Sequence, residues 1–126
     1  MDLEHPCLCV SDLDRAAEFY EALGFEHTHS FTLNGEENYY VGHPDGRGEI
    51  QLRYDPDRTT PIAPNRADVN HIAFSVDEIE EITEDLQEKE DVDQVTDPYY
   101  VEHTGRTITN FRDPDGRRFQ IVQDDE

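Results

Sequence analysis

The stretch His5-Pro-Cys-Leu-Cys-Val10 near the start of the chain recurs in its second half as His71-Ile-Ala-Phe-Ser-Val76. A later stretch, Pro44-Asp-Gly-Arg-Gly-Glu-Ile-Gln-Leu52, recurs in shortened form as Pro114-Asp-Gly-Arg-Arg-Phe-Gln-Ile121. Each half therefore opens with a histidine at the head of a strand and closes with a glutamine inside one. Repetition of a unit this long indicates that one supersecondary module is duplicated and paired.

The residue patterns predict the order β-α-β-β-β in each half. Alternating apolar residues indicate strands, a helical stripe follows the first strand, and Asn34-Gly35 is typical of a hairpin turn. The predicted strands of the first half are 3–10, 25–33, 38–42 and 49–54. Those of the second half are 70–76, short strands near Gln94 and Tyr100, 106–111 and 117–123. This order predicts module one at 1–55, a linker at 56–68 and module two at 69–126.

Both predicted helices carry start and stop signals. Ser11 with Asp14, and Asp77 with Glu80, occupy the spacing of a capping box. Gly24 is placed to end the first helix. In the predicted strand 25–33, Phe25, His27, His29, Phe31 and Leu33 alternate with polar residues, which is typical of a half-buried strand.

The charge balance is strongly acidic: Asp and Glu number 31 against 10 Lys and Arg, and the formal net charge is −21. Such self-repulsion destabilises a compact fold in dilute buffer and is screened in molar salt, so the composition favours a halophilic, high-salt cytosol. Disorder is the alternative for so charged a chain, but the periodic apolar residues argue against it. The acidity also argues against nucleic acid and anionic membranes as partners.

The remaining sequence signals favour an intracellular location. No apolar run approaches the ~20 residues that span a bilayer, and the first residues are too acidic for a signal peptide. We therefore expect a cytoplasmic protein. Cys7 and Cys9 lie on one face of one strand, which excludes a disulfide framework.

Four polar residues occupy matched places in the two halves: His5, Gln51, His71 and Gln120. The strand period places them on the face opposite the bulky apolar residues, which must lie under the helix. If the two sheets curl together, that face lines a cleft. Two imidazoles and two amide oxygens suit a divalent ion such as Zn, Ni, Co, Mn or Fe. The alternative is a hydrogen-bonded polar patch that lines a ligand pocket without metal.

Three motifs carry a resemblance to a known family. They are V-x-D-L-D-R-A-x-x-F-Y-x-x-L-G-F at 10–25, N-H-I-A-F-S-V at 70–76 and F-x-D-P-D-G at 111–116. Together they resemble the vicinal-oxygen-chelate superfamily, which includes glyoxalase I, extradiol dioxygenases and bleomycin-resistance proteins. The resemblance implies an α+β fold of two paired βαβββ modules, with a curled mixed sheet that encloses a cleft and helices on the outer face.

The resemblance also implies a site and an assembly. Glyoxalase I is the most similar member by pattern, and its metal ligands fall at the positions of His5, Gln51, His71 and Gln120. Members are usually homodimers, and in glyoxalase I each site takes ligands from two subunits. Both implications are expectations for this chain.

Two departures from glyoxalase I bear on the reaction. The place of Gln120 nearly always holds a glutamate that moves the proton, and an amide cannot do so at neutral pH. Cys9 stands where an arginine of glyoxalase I binds the glutathione carboxylate. A smaller thiol's adduct is therefore a better expectation than a glutathione adduct.

Other residues are candidates for proton transfer and substrate binding. Glu49, on the same face as Gln51, is the first candidate for the base, and Glu102 with His103 comes second. Cys9, Arg53, Arg118 and His103 are candidates for contact with substrate, the two arginines for an anionic one.

These patterns favour a glyoxalase-I-like, metal-dependent lyase or isomerase that acts on a small α-oxo adduct of the methylglyoxal–thiol type. The alternative is a non-catalytic small-molecule binding or resistance protein of the same fold. An extradiol dioxygenase fits less well, because that class needs a carboxylate ligand on iron.

Overall fold

The computed structural model describes residues 1, 3–44, 46–62, 71–90 and 92–124. The chain divides into two compact units, Met1–Ile62 and Ala63–Glu126. Positions 63–68 of the predicted linker and the predicted start of module two at 69 lie outside the described residues, as does Asn70. The module boundaries therefore stay predictions.

The first unit is a four-stranded mixed sheet with one helix. Its strand order is β1-β4-β3-β2, in which β1 runs parallel to β4 and the other neighbours are antiparallel. The elements are β1 (Cys7–Cys9), α1 (Leu13–Ala22), β2 (Glu26–Leu33), β3 (Glu36–Gly42) and β4 (Glu49–Tyr54). Asn34 and Gly35 both adopt positive φ, at 53° and 82°, so the predicted hairpin turn between β2 and β3 is confirmed.

The second unit repeats this architecture. Its strand order is β5-β8-β7-β6, with β5 parallel to β8. The elements are β5 (Ile72–Ser75), α2 (Ile79–Glu88), β6 (Tyr99–Val101), β7 (Arg106–Arg112) and β8 (Arg118–Asp124). The α+β class and the repeated βαβββ order are thus confirmed. Among the described residues, no helix combines the length and apolarity needed to cross a membrane.

Each unit has its own apolar layer between helix and sheet. In the first, Phe19 and Tyr20 of α1 are buried with Ile50 and Leu52 of β4. In the second, the buried ring of Phe119 stacks between Phe74 and Phe111, at centroid distances of 5.5 and 5.6 Å. Since strand side chains alternate, the residues between these apolar ones lie on the opposite face of each sheet. We call this the open face, because the helix of the same unit packs on the other side.

Both predicted capping boxes are wrong by one residue. The first helix is capped by Asp12, whose side chain accepts from the Arg15 N–H at 3.1 Å. The second helix begins after Glu78, which makes no side-chain cap. Instead, the Ile79 N–H donates to Gln123 Oε1 of β8 at 2.8 Å, so a residue remote in sequence satisfies the helix start.

The predicted alternation over 25–33 is also corrected. The pairing of β2 with β3 shifts between His27 and His29, which marks a β-bulge, and β2 is exposed along its length. His27 contacts Tyr39, at 4.4 Å between ring centroids, whereas His29 and Phe31 contact Tyr40 on the other face. The bulge thus moves the second half of the stripe to the open face.

The predicted strand near Gln94 is reduced to one bridge. Asp93 pairs with Arg112, and Gln94 itself adopts a positive φ of 57°, which a continuing strand does not allow.

A buried hydroxyl pair links α2 to β7 and makes the first testable prediction. Thr83 and Thr109 are almost fully buried, and their hydroxyl oxygens are 2.9 Å apart. We expect Thr109→Val to lower the free energy of unfolding by about 1–3 kcal/mol, because it leaves the Thr83 hydroxyl without this partner. The double variant with Thr83→Val should recover most of the loss. Urea denaturation measures both, and a double variant as unstable as the single one would contradict the assignment.

Candidate functional site

The two units hold their histidine and glutamine in the same register. Gln51 of β4 pairs with Cys7 of β1, and His5 lies two residues before Cys7. In the second unit Gln120 of β8 pairs with Ala73 of β5, and His71 lies two residues before Ala73. The repeat seen in the sequence is therefore a repeat of strand pairing. In each unit the histidine lies just before one strand, and the glutamine lies on the parallel strand beside it.

His5 is oriented by two neighbours. Its Nδ1 lies 3.2 Å from Glu4 Oε1, and its ring packs edge-on against Tyr40 at 5.4 Å between centroids. A carboxylate at Nδ1 favours the tautomer with the proton there, so that Nε2 carries the lone pair. The imidazole is about a quarter exposed, which leaves that nitrogen accessible to a ligand.

Gln51 is buried, and its amide is oriented by a relay of side chains. Arg53 Nε donates to Asn38 Oδ1 at 3.2 Å, and since a guanidinium can only donate, this contact fixes the orientation of Asn38. Gln51 Nε2 then donates to the same oxygen at 2.8 Å. The amide nitrogen of Gln51 is thereby engaged, and its carbonyl oxygen remains available to coordinate a metal ion.

The equivalent pair in the second unit is more open. His71 is exposed at the head of β5, and Gln120 is half-buried on β8. Gln120 lies directly opposite Asn110 of β7. Its carboxamide makes no hydrogen bond to any residue that the structure describes.

These donor atoms fit a divalent metal. In the first unit, His5 Nε2 and Gln51 Oε1 accept no hydrogen bond from any residue that the structure describes. Glu4 and Asn38 contact the other ends of the same groups. The second unit offers the same two donor types in the same register. No group of three or more His, Cys, Asp and Glu suited to a metal occurs in the described ranges. A site of this kind would depend on the glutamines for half of its ligands.

Glu49, Cys9 and Arg53 lie on the same face of the first sheet as Gln51. Glu49 is two residues before Gln51, and the Thr28 hydroxyl of β2 donates to its carboxylate. Cys9 pairs with Arg53 in the strand register. Arg53 is engaged with Asn38 and lies 4.0 Å from a Glu36 carboxylate oxygen, so it is partly neutralised.

Arg118 lies on the same face of β8 as Gln120, two residues before it, and is half-buried. Glu102 and His103 are placed differently, in the turn between β6 and β7. Arg106, which follows that turn, is four residues along β7 from Asn110, the partner of Gln120. Four residues of strand span ~13 Å, so the second unit does not bring His103 beside its own Gln120.

Several residues that orient the site were missed from the sequence. Asn38, Tyr40 and Glu4 are in contact with Gln51 or His5, but nothing in a single sequence shows which residues of neighbouring strands face each other. The period of β3 does place Asn38 and Tyr40 on one face, and a known register would have identified them.

Asn38 offers a direct test of the relay. We expect Asn38→Ala to weaken metal binding by roughly 10- to 100-fold, because it frees the Gln51 amide to rotate. Glu37→Gln, an exposed change on the same strand, is the control and should have no such effect. Competitive titration against a chromophoric chelator measures both. Equal affinity of Asn38→Ala and the parent protein would contradict the relay.

The fold is similar to solved structures. A glyoxylase/bleomycin resistance protein/dioxygenase domain from Frankia sp. EAN1pec matches with a TM-score of 0.81 and 22% identity, over 98% of each chain. The trypanothione-dependent glyoxalase I of Leishmania major matches with a TM-score of 0.77 and 24% identity, over 98% of this chain and 87% of that one. A bleomycin resistance determinant encoded on transposon Tn5 matches with 0.70 and 21%, over 100% of both. At these identities, the likeness shows the fold.

A family model gives the assignment. Residues 2–121 match the model of the Glyoxalase/Bleomycin resistance protein/Dioxygenase superfamily, which is nearly the whole chain. A search of curated proteins returned no match. The motifs, the repeated βαβββ order and the family model agree, and the chain therefore belongs to the glyoxalase/bleomycin resistance protein/dioxygenase superfamily.

Proposed function

We propose that this chain is a metal-dependent lyase or isomerase of the glyoxalase type, acting on a small α-oxo compound joined to a thiol. The observation that carries the proposal is the equal register of histidine and glutamine in both units. The two pairs would supply one site with four ligands, His5, Gln51, His71 and Gln120, within one chain or across a homodimer.

The donor set bears on the chemistry of the site. All four donors are neutral, so an ion such as Zn, Ni, Co, Mn or Fe would keep its full double charge there. Such an ion supplies Lewis acidity at the substrate carbonyl. The residues around it have other roles: Glu4 holds the His5 tautomer, and Asn38 holds the Gln51 oxygen in place.

Proton transfer needs a group other than Gln120, because a carboxamide does not accept a proton at neutral pH. Glu49 is our candidate, since it lies on the open face two residues before Gln51. Its hydrogen bond from Thr28 holds the carboxylate in one position.

The proposal is tested by removing and restoring the metal. Protein prepared in molar salt should convert a methylglyoxal–thiol hemithioacetal, lose that activity after dialysis against EDTA, and regain it when Zn, Ni, Co, Mn or Fe is added back. Circular dichroism before and after dialysis controls for unfolding. A folded protein with stoichiometric metal and no turnover of any small-thiol adduct would contradict the lyase assignment.

One observation favours a second candidate, a non-catalytic small-molecule binding or resistance protein. Position 120 carries an amide in place of a carboxylate, and the carboxylate of Glu49 already accepts a hydrogen bond from Thr28. Neither position therefore offers a carboxylate that is free to take up a proton from the substrate. Such a protein would bind its ligand equally well with and without metal. Equilibrium binding of the hemithioacetal's stable thioester product, measured with metal and in EDTA, distinguishes the two functions. Equal affinity would favour the binding protein, and loss of binding in EDTA would favour the lyase.

A further inference from the structure

Two arginines of the second unit face each other across adjacent strands. Arg112 of β7 and Arg118 of β8 are direct partners in the antiparallel register, on the same face as Gln120. The Arg112 N–H donates to Asp93 and the Asn110 carbonyl accepts from Thr96, both away from β8. These are therefore non-hydrogen-bonded positions, where facing Cα atoms are only about 4.5 Å apart. Like charges in this arrangement destabilise a sheet.

No carboxylate among the described residues neutralises this pair. Neither Arg112 nor Arg118 takes part in an ion pair there, although acidic residues outnumber basic ones 31 to 10. Other arginines of the same hairpin are paired: Arg106 with Asp124 at 2.8 Å and Arg117 with Asp113 at 3.0 Å. Two like charges that face each other, with no carboxylate of the described residues in ion-pair contact, form an unfavourable arrangement that a bound anion would relieve.

Both guanidinium groups are held in place by neutral acceptors. Arg118 Nε and Nη2 donate to Asn110 Oδ1 at 3.2 and 3.1 Å, while Asn110 Nδ2 donates to the Tyr99 hydroxyl at 2.9 Å. Arg112 Nη1 donates to the Gly116 carbonyl at 3.0 Å. Both side chains are half-buried. Their remaining N–H groups are thus fixed in space and keep their full positive charge, as an anion site requires.

The fold itself does not require these arginines. The first unit has the same strand pairing, and since Gln51 corresponds to Gln120, the equivalents of Arg112 and Arg118 are Gly42 and Glu49. A glycine and a carboxylate occupy those places without disturbing the sheet. The positive pair is therefore particular to the second unit and points to a role in binding.

We propose that Arg112 and Arg118 bind an anionic group of the substrate, a carboxylate or a phosphate, beside His71 and Gln120. His71 immediately precedes Ile72, which pairs with Phe119, so it lies next to Arg118. An anion on the arginine pair would leave an adjacent oxo group within reach of the imidazole and the carboxamide. This inference rests on the proposed function and names its substrate class: small, negatively charged α-oxo compounds.

The test compares each anion with a neutral partner of similar shape. The probes are pyruvate against methyl pyruvate, and dihydroxyacetone phosphate against hydroxyacetone, titrated calorimetrically at constant ionic strength. We expect at least one anion to bind about tenfold or more tightly than its neutral partner, since hydrogen bonds to charged groups are the stronger ones. The two probe pairs separate carboxylate from phosphate recognition. EDTA-treated protein is used, so the result does not depend on whether the metal proposal holds.

Matched variants locate the binding. Arg112→Gln and Arg118→Gln should each weaken binding of the anion by about tenfold and leave the neutral partner unchanged. Arg106→Gln on the same hairpin, already paired with Asp124, should change neither. The thermal midpoints of Arg112→Gln and Arg118→Gln should stay equal or rise, because each removes one of two facing like charges. Equal affinity for anion and neutral partner, or an equal loss in Arg106→Gln, would overturn the proposal.

Discussion

Gln120→Glu should raise the turnover of a methylglyoxal–thiol adduct by about 10²- to 10⁴-fold, the usual contribution of a positioned general base. The change replaces a group that cannot accept a proton with one that can, at the place where the resemblance to glyoxalase I implies a proton-transferring glutamate. The side chain keeps its length, and Gln120 forms no hydrogen bond within the described part of the chain that the change would break. Turnover is followed spectrophotometrically on metal-loaded protein in molar salt.

Gln123→Glu is the matched control for this prediction. It adds the same charge to the same strand, but on the face toward α2, where the side chain accepts from the Ile79 N–H. A carboxylate is favourable at a helix N-terminus, so this variant should fold at least as well and show no gain in rate. If Gln120→Glu shows no gain with metal bound, the site does not perform glyoxalase-type proton transfer.

The second large effect we expect is a dependence of folding on salt. With a net charge of −21, the protein should be fully folded in about 2 M KCl and largely unfolded in about 0.1 M, because the Debye length grows from a few ångströms to ~10 Å. Urea denaturation, which adds no ions, measures the free energy of unfolding at each KCl concentration. A stability that does not change over this range would contradict the proposed adaptation to a high-salt cytosol.

Helix α2 provides matched variants for the salt effect. Glu84, Asp85 and Glu88 lie toward its C-terminal end, where negative charge opposes the helix dipole, and no basic residue occupies the last turn. Neutralising all three should lower the KCl concentration needed for folding, with about 0.2–0.5 kcal/mol recovered per like-charge i,i+4 pair. Neutralising Glu80 and Glu81 in the first turn should lower that KCl concentration by less, because negative charges there stabilise the start of the helix.

Much of the fold could be predicted because its signals are local and occur twice. Strand alternation predicts that His5 and Gln51 lie away from the apolar residues, and in the structure Ile50 and Leu52 are buried on β4, which α1 contacts. Asn34 and Gly35 form the predicted hairpin turn because both residue types readily adopt positive φ. The repeat strengthens the prediction, because the two halves independently give the same order of strands and helix.

The remainder depends on contacts between residues remote in sequence. The bulge between His27 and His29 reverses the facing of β2 midway, and no residue type there announces it. The relay from Arg53 through Asn38 to Gln51, and the facing of Arg112 and Arg118, follow from register, which a single sequence leaves open. The candidate ligands could be nominated from the sequence, whereas the groups that orient them could not.

In the site proposed above, two imidazoles and two carboxamides together hold one divalent ion. Its most direct test is the metal stoichiometry of protein prepared in molar salt, measured by elemental analysis for the parent chain, His5→Ala, His71→Ala and His29→Ala. We expect one tightly held ion per set of four ligands, lost in the first two variants and kept in the third, whose ring packs against Phe31 and Tyr40. A folded parent protein without metal, or metal retained when His5 and His71 are both replaced, would contradict it.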